Sequence, residues 1–102
     1  MGTVLIDTLL NDCVKRRANE LRIEVDQRPM ARVGGQTQNL PWSLLGSAAL
    51  ASIVDTITPQ LRKRELQETG ETSFDFGFGD SANVRTLISR RDGAPVIELQ
   101  LS

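Results

Sequence analysis

Apolar residues near the start of the chain recur at spacings of three and four. Leu5, Ile6, Leu9, Leu10, Cys13, Val14 and Arg17 form one stripe, which predicts a helix over roughly residues 4 to 18. Asp7, Asp12, Lys15 and Arg16 fall on its far side. The period then changes to two. Leu21, Ile23 and Val25 alternate with Arg22 and Glu24, the pattern of a strand buried on one face. Asp26-Gln27-Arg28-Pro29 is expected to reverse the chain, because Pro29 presets its own φ and biases Arg28 away from the helical region. Met30 to Val33 and Gln36 to Leu40 flank Gly34-Gly35, a pair able to take the positive φ values of a two-residue hairpin turn, so two further strands are predicted there.

Leu44, Leu45, Ala48, Ala49, Leu50, Ile53, Val54 and Ile57 again stand at helical spacing. They predict a second helix over roughly 43 to 57 with Ser43 as its N-cap. Thr58 is expected to cap a third helix that has Pro59 in its first turn, continues from Gln60 to Gln67 and closes at Gly70. Phe74, Phe76 and Phe78, all the phenylalanines of the chain, then share one side of a single strand, which places them at the heart of the expected core. Turns at Gly79-Asp80-Ser81 and at Arg90-Arg91-Asp92-Gly93 separate strands over Ala82 to Ser89 and Val96 to Leu101.

The expected order is helix, three strands, two helices, three strands, with short connections and no repeat or low-complexity tract. Hairpins imply mostly antiparallel pairing. One apolar stripe per helix implies a two-layer α+β fold, with about six strands and the helices on one face of the sheet. The opposite face must then be polar or covered by a partner.

Composition narrows the chemistry. The chain has 102 residues, of which 39% are hydrophobic and 25% charged, so it suits one globular domain. A net charge of -1 draws it to neither nucleic acid nor anionic lipid, and its apolar runs are too interrupted for membrane insertion. A lone cysteine, Cys13, and no recognisable leader favour the cytoplasm. Without histidine or tyrosine, His-based triads, His-ligated metals and phenolic acid–base roles are excluded. Cys13 sits on an apolar stripe and reads as a small core residue, not a nucleophile. Glu65, Glu68, Glu71 and Asp75 read as solubilising carboxylates, not a catalytic pair. Gly77 and Gly79 flank Phe78 at a strand end instead of opening a helix, and no phosphate-binding loop occurs. Lys15-Arg16-Arg17, Arg62-Lys63-Arg64 and Arg90-Arg91 read as solvated surface: the first two lie on predicted helices, where consecutive positions diverge by about 100°, and the third in a turn. No catalytic, cofactor-binding or metal-binding residue is therefore expected. Trp42, after Pro41 and off any regular stripe, either plugs the core or anchors a partner.

Several stretches carry a resemblance. Glu20-Leu21-Arg22-Ile23 stands where PilT-type ATPases have an Asp-Leu-His-Leu strand, and Arg32-Val33-Gly34-Gly35 where they have Arg-Val-Asp-Gly. Ile57-Thr58-Pro59-Gln60-Leu61-Arg62 parallels Leu-Thr-x-x-Gln-Arg, and Thr72-Ser73-Phe74-Asp75-Phe76 parallels Asp-Phe-Ser-Phe. Asn83-Val84-Arg85-Thr86-Leu87 parallels Arg-Phe-Arg-Val-Asn and keeps the second arginine, at Arg85. Over nearly its whole length the chain thus resembles the N-terminal, PAS-like domain of type IV pilus retraction and type II secretion ATPases, without the ATPase part.

That resemblance implies a single domain over 1–102 that packs on the ATPase domain of a neighbouring subunit in a hexameric motor. Arg85 is the position onto which a nucleotide-phosphate contact would be carried, while Arg22 replaces the strand histidine and Asn83 the other arginine. The chain is either a stand-alone copy or an excised domain. The expected function is a non-catalytic protein–protein interaction module for pilus or secretion ATPases, with Arg22, Arg32, Trp42 and Arg85 as candidate partner contacts. The alternative is a PAS-like small-ligand sensor or adaptor. An uncovered sheet face or edge also makes a homodimer an expectation.

Overall fold

The structure, a computed structural model, describes residues 2–39, 44–78, 82–91 and 93–101. Trp42 and the expected cap Ser43 lie outside the described residues, as do Leu40, Gly79 to Ser81 and Asp92. Helix α1 (Gly2–Lys15) leads to β1 (Glu20–Glu24), β2 (Met30–Val33) and β3 (Gln36–Asn39). Helices α2 (Ser47–Ile57) and α3 (Gln60–Thr69) precede β4 (Glu71–Phe78), β5 (Ala82–Arg91) and β6 (Ala94–Leu101). The fold is α+β, in the expected order.

All six strands form one antiparallel sheet in the order β3-β2-β1-β6-β5-β4. The first and last strands pair at its centre. The chain must therefore travel from one edge, β3, to the other, β4, a distance of roughly 24 Å at about 4.8 Å per strand spacing. One helix of ten or eleven residues covers only about 16 Å. Two consecutive helices make the crossing, over the same face that α1 covers.

The core lies between these layers. Ile6, Leu9, Leu10 and Cys13 of α1, Leu50 and Ile53 of α2 and Leu66 of α3 meet Leu21, Ile23, Ala31, Val84, Ile88, Ile97 and Leu99 of the sheet, all buried. Aliphatic side chains fill the centre. The phenylalanines do not: Phe74, Phe76 and Phe78 are only partly buried and pack against the cluster from its margin, because β4 is an edge strand. Val14 also departs from the expected stripe and is 49% exposed. Among the described residues no helix is long and apolar enough to cross a membrane.

Local backbone chemistry explains the other shifts in element boundaries. α1 stops at Lys15 because Arg17 turns left-handed at φ 58°, with Arg17 N–H donating to Val14 O and Ala18 N–H to Cys13 O. These are the two bonds of a Schellman cap, with arginine where glycine is usual. α2 starts at Ser47 instead of near 43, with Gly46 as N-cap. Leu45 cannot join the helix, since it bridges Gln27 and its carbonyl accepts from Asp26 N–H at 2.8 Å. Thr58 is the C-cap of α2 and not the N-cap of α3; that role falls to Pro59 in extended conformation. Gly34 and Gly35 take φ of 58° and 81°, which closes the β2–β3 hairpin in two residues as expected, and Gly70 ends α3 at φ 80°. The β5–β6 turn is tighter than expected. Arg91 pairs with Ala94 across it, so Arg90 and Arg91 are strand residues on opposite faces.

Candidate functional site: the open face of the sheet

Successive strand residues alternate between faces, so a residue paired across the sheet shares a face with its partner. The core face takes Leu21, Ala31, Ile97, Leu99, Thr86 and Phe74; the other face, bearing no helix among the described residues, takes their neighbours. The register aligns these in transverse rows. One row runs Arg32, Glu20, Gln100, Arg85, Asp75, and the next runs Met30, Arg22, Glu98, Leu87, Ser73. A third runs Glu24, Val96, Ser89, Glu71.

Charges of opposite sign stand next to one another along and between these rows. Arg32 Nη1 lies 3.9 Å from Glu20 Oε2, Arg85 Nε 3.5 Å from Asp75 Oδ1, and Arg22 Nη1 3.6 Å from Glu98 Oε1. Such pairs between well-exposed groups contribute between nothing and about 1 kcal/mol each, so they decorate the sheet more than they hold it. One cluster is different. The Glu24 side chain is 18% exposed and takes two arginines, Arg22 Nε at 3.2 Å on Oε2 and Arg91 Nη1 at 3.7 Å on Oε1. Arg22 Nε is within ion-pair distance of Glu24 but has no hydrogen-bond partner among the described residues. Beside Glu24 in register, Val96 is 4% exposed although it faces away from the main core. The cluster is a small second layer of packing on the helix-free side.

Beside Arg85 the end of the face opens into a polar groove of about 460 Å³, lined by Asn19, Glu20, Asn83, Arg85, Gln100 and Leu101. The Arg85 side chain is 70% exposed, so a partner reaches its guanidinium without displacing any core residue. Away from this face, Cys13 is fully buried. Burial pushes its thiol up to about 11; the Asp12 carboxylate adds to the rise and Arg16 opposes it. At neutral pH it is a protonated core thiol. Among the described residues no group of three or more His, Cys, Asp or Glu is placed to hold a metal ion.

Of the expected contacts, the fold brings Arg22, Arg32 and Arg85 together on this one face. Arg32 and Arg85 are three strand spacings apart, roughly 14 Å. Trp42 lies outside the described residues. Glu24, Val96 and Arg91 were not anticipated. The apolar pair Val96-Ile97 was the available signal: two adjacent apolar residues in a strand must bury something on both sides of the sheet.

No family model matches the sequence, and neither does any curated protein. Solved structures do. The pilus retraction motor PilT, crystallised with ADP, superposes with a TM-score of 0.85 over 93% of this chain, at 16% identity. The ATPase DotB of Legionella pneumophila gives 0.79 over 95%, at 18% identity. The chain spans only 28% of the length of each. Together with the motifs quoted above, these superpositions give the chain, over nearly all its length, the fold of the N-terminal domain of PilT-type ATPases.

Proposed function

We propose that the chain is a non-catalytic protein–protein interaction module that works with a pilus or secretion ATPase in the cytoplasm, using the open face of its sheet as the contact surface. The observation that carries this reading is the gathering of Arg22, Arg32 and Arg85 on the sheet face that no helix covers among the described residues. Four arginines there, counting Arg91, stand among five carboxylates, Glu20, Glu24, Glu71, Asp75 and Glu98. A surface of mixed sign with partly buried Met30 and Leu87 between the charges suits a protein partner, because complementary pairs fix register without a net field.

A sensor reading would need a chamber between helices and sheet. That space is occupied by Leu9, Leu10, Leu50, Ile53, Ile88 and Ile97, all fully buried, which favours the interaction module.

The test mixes the purified chain with a purified PilT-type ATPase of the same organism and follows both by sedimentation velocity. Co-sedimentation is expected, weakened about tenfold or more by Arg85→Glu, which places like charges together across the contact. Absence of any complex at micromolar concentration, with both proteins folded, defeats the proposal.

A further inference from the structure

The two edges of the sheet are built differently. β3 has four residues, Gln36–Asn39, all polar and exposed, and short polar edges resist further strand pairing. β4 has eight, paired one to one with β5 from Glu71↔Ser89 to Phe78↔Ala82, with no bulge, no proline and no lysine. An edge of this length, whose only charges are the acidic Glu71 and Asp75, is a template for another strand that carries basic residues.

Thr69 reveals which way its main-chain groups point. The amide of Glu71 donates to Thr69 Oγ1 at 3.3 Å, and that hydroxyl lies 2.8 Å from the Glu71 carbonyl oxygen. Both groups of Glu71 are therefore turned away from β5. Since the pairing direction alternates along an antiparallel strand, Ser73, Asp75 and Gly77 also point outward, while Thr72, Phe74, Phe76 and Phe78 bond to β5. Thr69 closes the first of these outward sites. The next three have no partner among the described residues, and all three residues are exposed.

The flanks of the edge select what fits it. On the helix side stand the partly buried Phe74, Phe76 and Phe78. On the other stand Glu71, which has no ion pair among the described residues, and Asp75, whose pair with Arg85 is between exposed groups. A groove of about 380 Å³ lined by Glu65, Thr69, Glu71, Thr72 and Ser73 continues the acidic side. We infer that the β4 edge accepts an extended segment of another polypeptide as a seventh strand, with its apolar residues against the phenylalanine row and alternating basic residues against Glu71 and Asp75. A second copy of the chain fits poorly, because centred self-pairing sets Asp75 opposite its own counterpart. This inference concerns a different surface from the open face and stands without it.

The test uses the whole chain and a fluorescent, end-capped octapeptide alternating lysine and valine. Saturable anisotropy is expected, with slowed amide exchange at Ser73, Asp75 and Gly77. A peptide N-methylated at alternate residues, of the same charge, and a glutamate-for-lysine peptide should each bind about tenfold more weakly or worse. Ser73→Pro, which removes an outward N–H, should abolish binding, and Asp75→Lys should weaken it about tenfold even if the proline variant fails to fold. Equal binding of the N-methylated or glutamate peptide, unchanged exchange at the three amides, or self-association of the chain through β4 would overturn the inference.

Discussion

The buried thiol gives a sharp test of the core. Cys13 is inaccessible to solvent, and its pKa rises from 9.0 to about 11 on folding. The folded state thus holds the proton more tightly than the unfolded chain. The stabilisation is fully present below about pH 9 and is lost as pH rises through the folded value near 11. The rise corresponds to about 3 kcal/mol across the whole window, and roughly half of that is already gone at pH 10. For a domain of this size that lowers Tm by roughly 5–10 °C at pH 10. The assay is urea unfolding of the native chain and of Cys13→Ala at pH 7.5, 9, 10 and 10.5. The chain has no tyrosine, and its two lysines are common to both proteins, so they cancel in the comparison. The alanine variant should be less stable at pH 7.5 but should lose less stability toward pH 10.5. Parallel curves would show that Cys13 meets water in the native state and refute the packing described for α1.

Other outcomes follow from the same structure. Arg17→Gly should raise stability by about 1 kcal/mol, because a left-handed φ is costly for arginine and free for glycine; unchanged denaturant midpoints would argue against the Schellman cap. Ile97→Ala, at the fully buried centre, should cost about 3–4 kcal/mol, and Phe76→Ala at the edge strand about half of that, reversing the order expected from side-chain size; chemical denaturation ranks them. The buried Thr72 hydroxyl donates to Glu65 Oε1 at 2.6 Å, so Glu65→Ala should cost about 1–2 kcal/mol, with Thr72→Val somewhat milder because it leaves no hydroxyl unpaired.

Much of the fold was legible in the sequence because its elements announce themselves locally. The change of period at Asn19, the Gly34-Gly35 turn and Gly70 each depend on a few neighbouring residues, and each holds in the structure. What escaped depends on contacts distant along the chain. Leu45 is drawn out of α2 by Gln27, and the phenylalanine row is demoted to the margin because β6 turns to β1 and leaves β4 at the edge. The face bearing Arg22, Arg32 and Arg85 was half legible. Alternation within each strand sorted the arginines onto polar sides, but only the β1–β6 pairing makes those sides one surface. Thr58 illustrates the ambiguity of a short signal: the same residue can end one helix or begin the next, and a backbone bond from its amide to Val54 O decided for the former.

The central pairing of first and last strands also governs how the molecule comes into being. Residues 20–22 pair locally with residues 30–32, but the other side of β1 finds its partners at residues 96–100, so the seam of the sheet closes across most of the chain. Each half can collapse early around local hairpins, yet until β6 arrives β1 has a bare edge beside the apolar helix face. Closing a seam of that sequence separation carries a loop-entropy cost that the local hairpins do not, so the sheet becomes one surface only when β6 docks.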